Sequence, residues 1–381
     1  MLPSTERLLL GPGPSLIAPR VMRALGAPML SHLDPDFVVI MDDLRARLER
    51  ICRAPEGSFA FAMSGTGTSG MEVAVSNLVQ PGTRVLSIVS GYFGDRLAQM
   101  SVRYGGEVEK VAVDWGRAVD PDAVRTMLGK TRAEVVTVVH AETSTGVLNP
   151  LEAIATVARE HDALVLVDAV TSLGGHPLDA DGWGLDAVYS CSQKCLGSPS
   201  GLSPVLFGPL ALERLVPCRG FYFDLELLED YWLKRKYHHT MSASLIYALS
   251  EALTIVEEEG LEARWARHER HHRAFAAGLE AMGLSLLPPE GERLWTLNAI
   301  RVPEGIDDAA VRKHLLTKHN MEIGAGLGPL AGKIFRVGLM GASSTPELVT
   351  ACLTALEDAL AAQGFRAPAG AGAAAATAAL A

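Results

Sequence analysis

The sequence predicts an α/β fold: a large domain on a mostly parallel sheet, then a smaller α+β domain. Three observations predict it. Strand-sized apolar runs alternate with helix-length amphipathic stretches through the first two thirds of the chain. Charged or small polar residues stand just past the ends of several of those runs, where sheets of this class place their ligands. After about residue 240 the pattern changes to two long helices followed by short mixed elements.

Each element has a local reason. Gly11-Pro12-Gly13-Pro14 makes a stiff irregular turn, because proline fixes φ and glycine frees it. The run 58–63 is strand-sized and leads through Gly65-Thr66-Gly67 into a helix over 69–79. A strand over 84–89 closes at Ser90-Gly91, and a helix follows over 94–104. A third strand covers 107–113. Asp120 is a fitting N-cap for a helix over 121–128. The β-branched run 134–139 is a strand and 151–161 a helix. Further strands fall at 163–167, 187–189 and 203–207. Helices over 244–260 and 261–282 open the second part. A strand at 297–302, a helix at 307–319, a strand at 334–338 and a helix at 346–362 complete it. The expected organisation is an N-terminal arm (1–20), a large domain (21–255), a small domain (256–366) and an Ala/Gly-rich tail (367–381) that is expected to be disordered.

Composition narrows the function. The 381 residues are 48% hydrophobic and 20% charged, which suits a globular chain with a substantial core. A net charge of −10 argues against a nucleic-acid or anionic-membrane binder. No apolar run is long enough to span a bilayer, and the first ten residues lack the form of a signal peptide, so a cytoplasmic location is expected. The five cysteines (52, 191, 195, 218 and 352) have irregular spacing and read as free thiols. Cys191 and Cys195 lack a second ligand pair for a metal.

Lys194 carries the most chemistry. It follows the buried run Ala187-Val188-Tyr189 and precedes a Gly/Pro/Ser stretch, an unusual place for a lysine. Asp168 ends the neighbouring strand, and His140 lies just past another, so all three can share one crevice. An amine and an acid so placed are the pair that pyridoxal phosphate requires: one anchors it and one faces the pyridinium nitrogen. Ser64-Gly65-Thr66-Gly67-Thr68-Ser69-Gly70 joins a strand to a helix, with glycines for close approach and hydroxyls as donors. It lacks the lysine of a P-loop and the spacing of a dinucleotide fingerprint, so a phosphate monoester fits better. Taken alone, it is also an ordinary Gly-rich turn.

The remaining signals are weaker. Tyr92-Phe93 offers a ring to stack on a flat cofactor, or simply core. Ala141-Glu142-Thr143-Ser144-Thr145-Gly146 offers hydroxyls common to any turn. Adjacent histidines at 238–239 point different ways on a helix or strand, which disfavours joint metal ligation. His271-His272 reads as part of a charged helix face, and no metal is expected. Arg336 inside Ile334-Phe335-Arg336-Val337 needs an anion: an internal carboxylate or that of a substrate.

From about residue 8 to 364 the chain resembles the class V, fold type I, pyridoxal-phosphate aminotransferases of the alanine–glyoxylate and serine–glyoxylate type. The resemblance rests on Leu8-Leu9-Leu10-Gly11-Pro12-Gly13-Pro14-Ser15, Ser190-Cys191-Ser192-Gln193-Lys194-Cys195-Leu196-Gly197 and Tyr237-His238-His239-Thr240. Gly324 to Pro329 and Phe335 to Gly341 add to it. It implies a seven-stranded sheet, pyridoxal 5'-phosphate as cofactor and Lys194 as the Schiff-base lysine and proton shuttle. It places Asp168 at the ring nitrogen, and Thr66, Gly67, Thr68 and Gln193 at the phosphate. Phe93 stacks on the ring, Thr143 contacts it and Arg336 holds the substrate carboxylate. Tyr237 and Thr240 would reach the neighbouring subunit's phosphate in a homodimer with composite sites. The chain departs from the family at Cys191, often Gly, and at Leu16, often Asn.

The implied reaction moves the amino group of alanine or serine to glyoxylate. The alternatives are other class V reactions: a 2-aminoethylphosphonate transaminase, a lyase or a cysteine desulfurase using Cys195 or Cys218. A cofactor-free α/β binding protein and a nicotinamide oxidoreductase are further from the motifs.

Overall fold

The computed structural model describes residues 6–381. Among them the large sheet has seven strands: Phe59–Gly65 (β1), Arg84–Val89 (β2), Glu107–Ala112 (β3), Val135–Val139 (β4), Leu164–Asp168 (β5), Ala187–Tyr189 (β6) and Gly201–Phe207 (β7). Their order is β1-β7-β6-β5-β4-β2-β3. Strands β2 to β6 pair in parallel, and β7 runs antiparallel to both β1 and β6. The central strands β4, β5 and β6 are buried along their whole length, which explains their largely apolar sequence, broken only by Thr137 and Asp168. Register sets Val139 beside Asp168 and Asp168 beside Tyr189, so three strand ends open at one level.

Pro35–Cys52 (α1), Gly67–Leu78 (α2) and Tyr92–Arg103 (α3) belong to the large domain. Ala243–Glu259 (α4) and Leu261–Ala281 (α5) lead to the small domain, which ends in Pro346–Ala361 (α6). Its sheet is antiparallel: Leu297–Arg301 (β8), Gly324–Ala325 (β9) and Ile334–Gly338 (β10), in the order β8-β10-β9. One apolar cluster runs from Phe37 to Val256 around the large sheet. A second joins Leu10 to residues from Ala274 to Ala376. The expected N-terminal arm is tied to the small domain, since Leu8–Leu9 pairs in parallel with Met321–Glu322. Residues 1–5 of that arm lie outside the described residues.

Several expectations are corrected. α1 went unread in the sequence, although Asp34 caps it by accepting from the Asp36 amide. The tail is not disordered: Ala371–Leu380 (α7) is a helix in the second apolar cluster, with Ala376 fully buried. Alanine is the best helix former, and methyl-sized side chains let this helix lie close to its neighbours, an attraction that composition does not display. Deleting 368–381 should therefore lower the thermal unfolding midpoint; an unchanged midpoint would mean that the tail contributes nothing to the small-domain core.

The helix face holding His271 and His272 is buried rather than solvated, together with Arg264 and His268. Each finds a partner there. Arg264 donates to the Gly174 and Cys195 carbonyls, His268 Nε2 accepts from the Gly341 amide, and His271 and His272 pair with Ser344 and Asn298. Hydrogen bonding offsets the cost of burying them. No helix of the described residues is long and apolar enough to cross a membrane.

Candidate active site

The carboxyl ends of β4, β5 and β6 and the amino end of α2 surround a cavity of about 150 Å³. Thr66, Gly67, Thr68, Phe93, Thr143, Asp168, Gln193 and Lys194 all line it. His140 does not. It turns to the other side, buried beside His176 and Trp183, because its strand neighbours Val139 and Ala141 are the ones facing the cavity. A larger cavity of about 860 Å³ lies along α5, lined by His272, Arg273, Arg293 and Trp295 among others. It contains none of the strand-end groups, so the smaller cavity is the candidate site.

The Gly/Thr turn at the start of α2 is the candidate anion cradle. Thr66 is the N-cap and makes no side-chain capping bond, and the amides of Gly67 and Thr68 donate to no acceptor among the described residues. The hydroxyl and the free N–H groups thus remain available for an anion, which the helix dipole favours. A Cβ on Gly67 would stand 2.8 Å from Val170 Cγ2 and 3.5 Å from Cys191 Cβ. Gly67→Ala should therefore push Val170 into the cavity and weaken phosphate binding, measurable by titration with inorganic phosphate or a phosphate ester. Unchanged binding would remove Gly67 from the cradle.

Lys194 enters from the loop after β6, and its Nζ donates to the Pro12 carbonyl. Ser15 ties the arm to the same loop: its amide donates to the Gln193 carbonyl at 3.0 Å and its hydroxyl to the Lys194 carbonyl at 2.9 Å. Gly13, at φ +112°, lies so close that any Cβ would overlap the lysine head. Burial pushes the Lys194 amine below its ordinary value, and the nearby Arg336 pushes the same way. Asp168 is buried, accepting from the Val170 amide at 2.9 Å and the Tyr189 hydroxyl at 2.7 Å. Burial pushes its carboxyl up to about 6, against the pull of Tyr189. It makes no ion pair among the described residues.

The family model for aminotransferase class-V matches residues 14–339. This chain belongs to the class V aminotransferases. The solved alanine–glyoxylate aminotransferase of Nostoc sp. is 44% identical, with a TM-score of 0.91 over 94% of this chain and 97% of that one. The ureidoglycine–glyoxylate aminotransferase structure from Bacillus subtilis is 37% identical, with a TM-score of 0.96 over 99% of each chain. The alanine–glyoxylate aminotransferase of Drosophila melanogaster is 36% identical over 365 residues, 93% of this chain and 92% of that protein. The fold is thus the fold type I transferase fold that the sequence predicts.

In this class V aminotransferase, Arg336 lies in β10, buried, with no carboxylate partner among the described residues. Nε donates to the Ala325 carbonyl at 2.6 Å and Nη1 to the Thr143 carbonyl at 3.2 Å. Burial lowers it to about 10, with Glu142 opposing the shift. The internal salt bridge that the sequence left open is absent among the described residues. Tyr237 and Thr240 are exposed and do not line the cavity. Cys195 is buried against the Thr171 carbonyl, and Cys218 is not among the cavity residues, so neither is placed as a desulfurase nucleophile. Three groups of metal-ligand type meet among the described residues: His314 and His319 both bond Asp358 Oδ2. They do so on the surface of the small domain, away from the cavity.

Sequence reasoning missed Glu142 and Arg96. Glu142 is fully buried and accepts from the amides of Phe93, Gly94 and Ser144 and from the Ser144 hydroxyl. It caps the start of α3 from another strand's turn and so aims Phe93 at the cavity. Burial raises its carboxyl, and those four donors oppose the rise. Arg96 lines the cavity, its guanidinium 5.1 Å from the Phe93 ring centroid. An acid directly after an apolar strand was the available signal for Glu142; for Arg96 there was none.

Proposed function

We propose that this aminotransferase uses pyridoxal 5'-phosphate to move the amino group of alanine or serine to glyoxylate, giving glycine and pyruvate or hydroxypyruvate. The observation that carries this reading is the joint placement of a depressed lysine, an unpaired buried acid and an open helix N-terminus around one cavity. The cofactor fits the residues present. Thr66, Gly67, Thr68 and Gln193, the last through its side-chain amide N–H, would hold its phosphate end. Asp168 would face its ring nitrogen, Phe93 its ring and Thr143 its edge. When bound, it supplies an electron sink that acidifies the α-hydrogen of an attached amino acid.

The chain's own groups do the rest. Arg336 offers a planar fork for the substrate carboxylate. Lys194 Nζ accepts the α-proton and holds it until it is returned, and the lowering of its pKa by burial increases the share of free amine. The arm at Pro12 and Gly13 presses on the lysine and keeps its carbon stem out of bulk water. A second copy would complete the site through Tyr237 and Thr240. Met29, Val39, Phe221 and Tyr237, each more than 60% exposed, are the kind of apolar surface a partner subunit covers. Sedimentation of the purified protein as a monomer would remove the dimer. The free cysteines support a cytoplasmic location.

A donor screen tests the function. The protein, loaded with pyridoxal phosphate, is mixed in turn with alanine, serine, aspartate, glutamate, ureidoglycine and aminoethylphosphonate, and amino-group uptake is read by absorbance. Glyoxylate is then offered as acceptor. Alanine or serine should react fastest. Uptake from aminoethylphosphonate alone would turn Arg336 into a phosphonate clamp, and uptake from none would end the transaminase reading.

A further inference from the structure

The histidines of Tyr237-His238-His239-Thr240 are used by nothing described so far. Their segment is irregular, between a helix ending at Lys234 and the start of α4. The rule that neighbouring side chains diverge on helices and strands therefore does not apply. Instead the two rings converge: Nδ1 of His238 lies 2.8 Å from Nδ1 of His239, with the rings at 87°. Both are buried at 8% exposure. His238 Nε2 lies 3.2 Å from the Phe221 carbonyl, and Phe221 stacks on the His238 ring at 5.2 Å. His239 Nε2 lies 3.1 Å from the Ser64 hydroxyl. Tyr222, Tyr231, Tyr237 and His32 are the other titratable groups around the pair.

For two neutral rings these contacts fix every proton. A carbonyl only accepts, so Nε2 of His238 carries hydrogen. In a neutral imidazole the other nitrogen then accepts. His239 must therefore donate from Nδ1, which leaves its Nε2 as an acceptor for the Ser64 hydroxyl. Burial pushes His239 down to about 4, in keeping with a neutral ring. The result is a one-way chain: Ser64 to His239, His239 to His238, His238 to the Phe221 carbonyl. Ser64 belongs to β1, two residues before Thr66 at the anion cradle.

We propose that His238 and His239 are positioning residues: through this directed hydrogen-bond chain they fasten the anion cradle to the exposed 221–240 region. The chain orients the Ser64 hydroxyl and holds the entry to the cradle, while the same pair sets Tyr237 and Thr240 at the surface. The part concerning the cradle rests on the cofactor reading above; the proton assignment does not.

Two measurements test it. With histidine labelled by nitrogen-15, ring-nitrogen shifts at neutral pH should show His238 protonated at Nε2 and His239 at Nδ1. His239 protonated at Nε2, or either ring as imidazolium, overturns the chain. Cofactor dissociation tests its use. Ser64→Ala and His239→Ala should each weaken pyridoxal phosphate about three- to tenfold, the worth of one or two neutral hydrogen bonds, and the double variant no more than the worse single. Losses that multiply overturn the coupling. His238→Asn keeps an acceptor near the Nδ1 position and should retain wild-type affinity. His238→Gln keeps only the donor to Phe221 and should match His239→Ala; equal behaviour of the two overturns the assignment. A wild-type protein that binds no pyridoxal phosphate ends the cofactor reading instead, and the ring-nitrogen shifts still decide the chain.

Discussion

Lys194→Arg should keep a cation on the loop after β6 and lose turnover. Arginine stays protonated across the accessible pH range, so it can neither attack a carbonyl nor take an α-proton. Loss of a positioned base alone costs about 10²–10⁴-fold, and loss of the covalent anchor adds to it. The larger head also meets Gly13, where no Cβ fits beside the lysine. Single-turnover kinetics with saturating alanine and glyoxylate check this, with thermal unfolding as the control for folding. A variant within tenfold of wild type would remove Lys194 from the proton transfer.

Asp168→Asn should move stability and function in opposite directions. In the folded chain the carboxyl titrates near about 6, above its ordinary 3.8. Below 3.8 it is protonated whether folded or unfolded. Between the two values the folded state keeps a proton that the unfolded state has released, so stability falls as pH rises. Above about 6 the full penalty of the buried charge is present, about 3 kcal/mol as an order of magnitude. The asparagine variant escapes it. Without cofactor it should melt higher than wild type at neutral pH, and the gain should fade as pH falls toward 3.8. With cofactor the order reverses: the ring nitrogen loses its counter-charge, at an expected cost of about 2–5 kcal/mol, or at least about 30-fold in affinity or turnover. Calorimetry on both forms across pH checks the two signs. A variant that melts lower at every pH would mean that Asp168 is held by its two hydrogen bonds more than it is strained by burial.

Much of the site was legible because its residues follow strand ends. Asp168, Lys194, Thr143 and the Thr66–Thr68 turn each come at or within a few residues of the end of an apolar run, and those ends open into one cavity. His140 obeyed the same rule and failed. Period-two alternation decides which side chain at a strand end faces the cavity, and its neighbours Val139 and Ala141 take that face. Glu142 was legible only as a turn residue, since its role is to cap α3, which lies far away in sequence. The polar face of α5 looked solvated because histidine and arginine are usually exposed; its partners at Gly174, Cys195, Gly341 and Ser344 come from other segments.

By itself the sequence determined the class of fold and pointed to the amine, the acid and the candidate anion cradle. Those rest on hydrophobic periodicity and on turn chemistry, which are properties of neighbouring residues. The tertiary structure decided the rest. It left Asp168 and Arg336 buried without counter-ions among the described residues, packed the alanine tail into the small-domain core and turned two adjacent histidines toward each other. Each of these depends on what lies opposite a side chain in space. That is set by the packing of segments far apart in the chain, where burial without a partner shifts a pKa and burial with one fixes a proton.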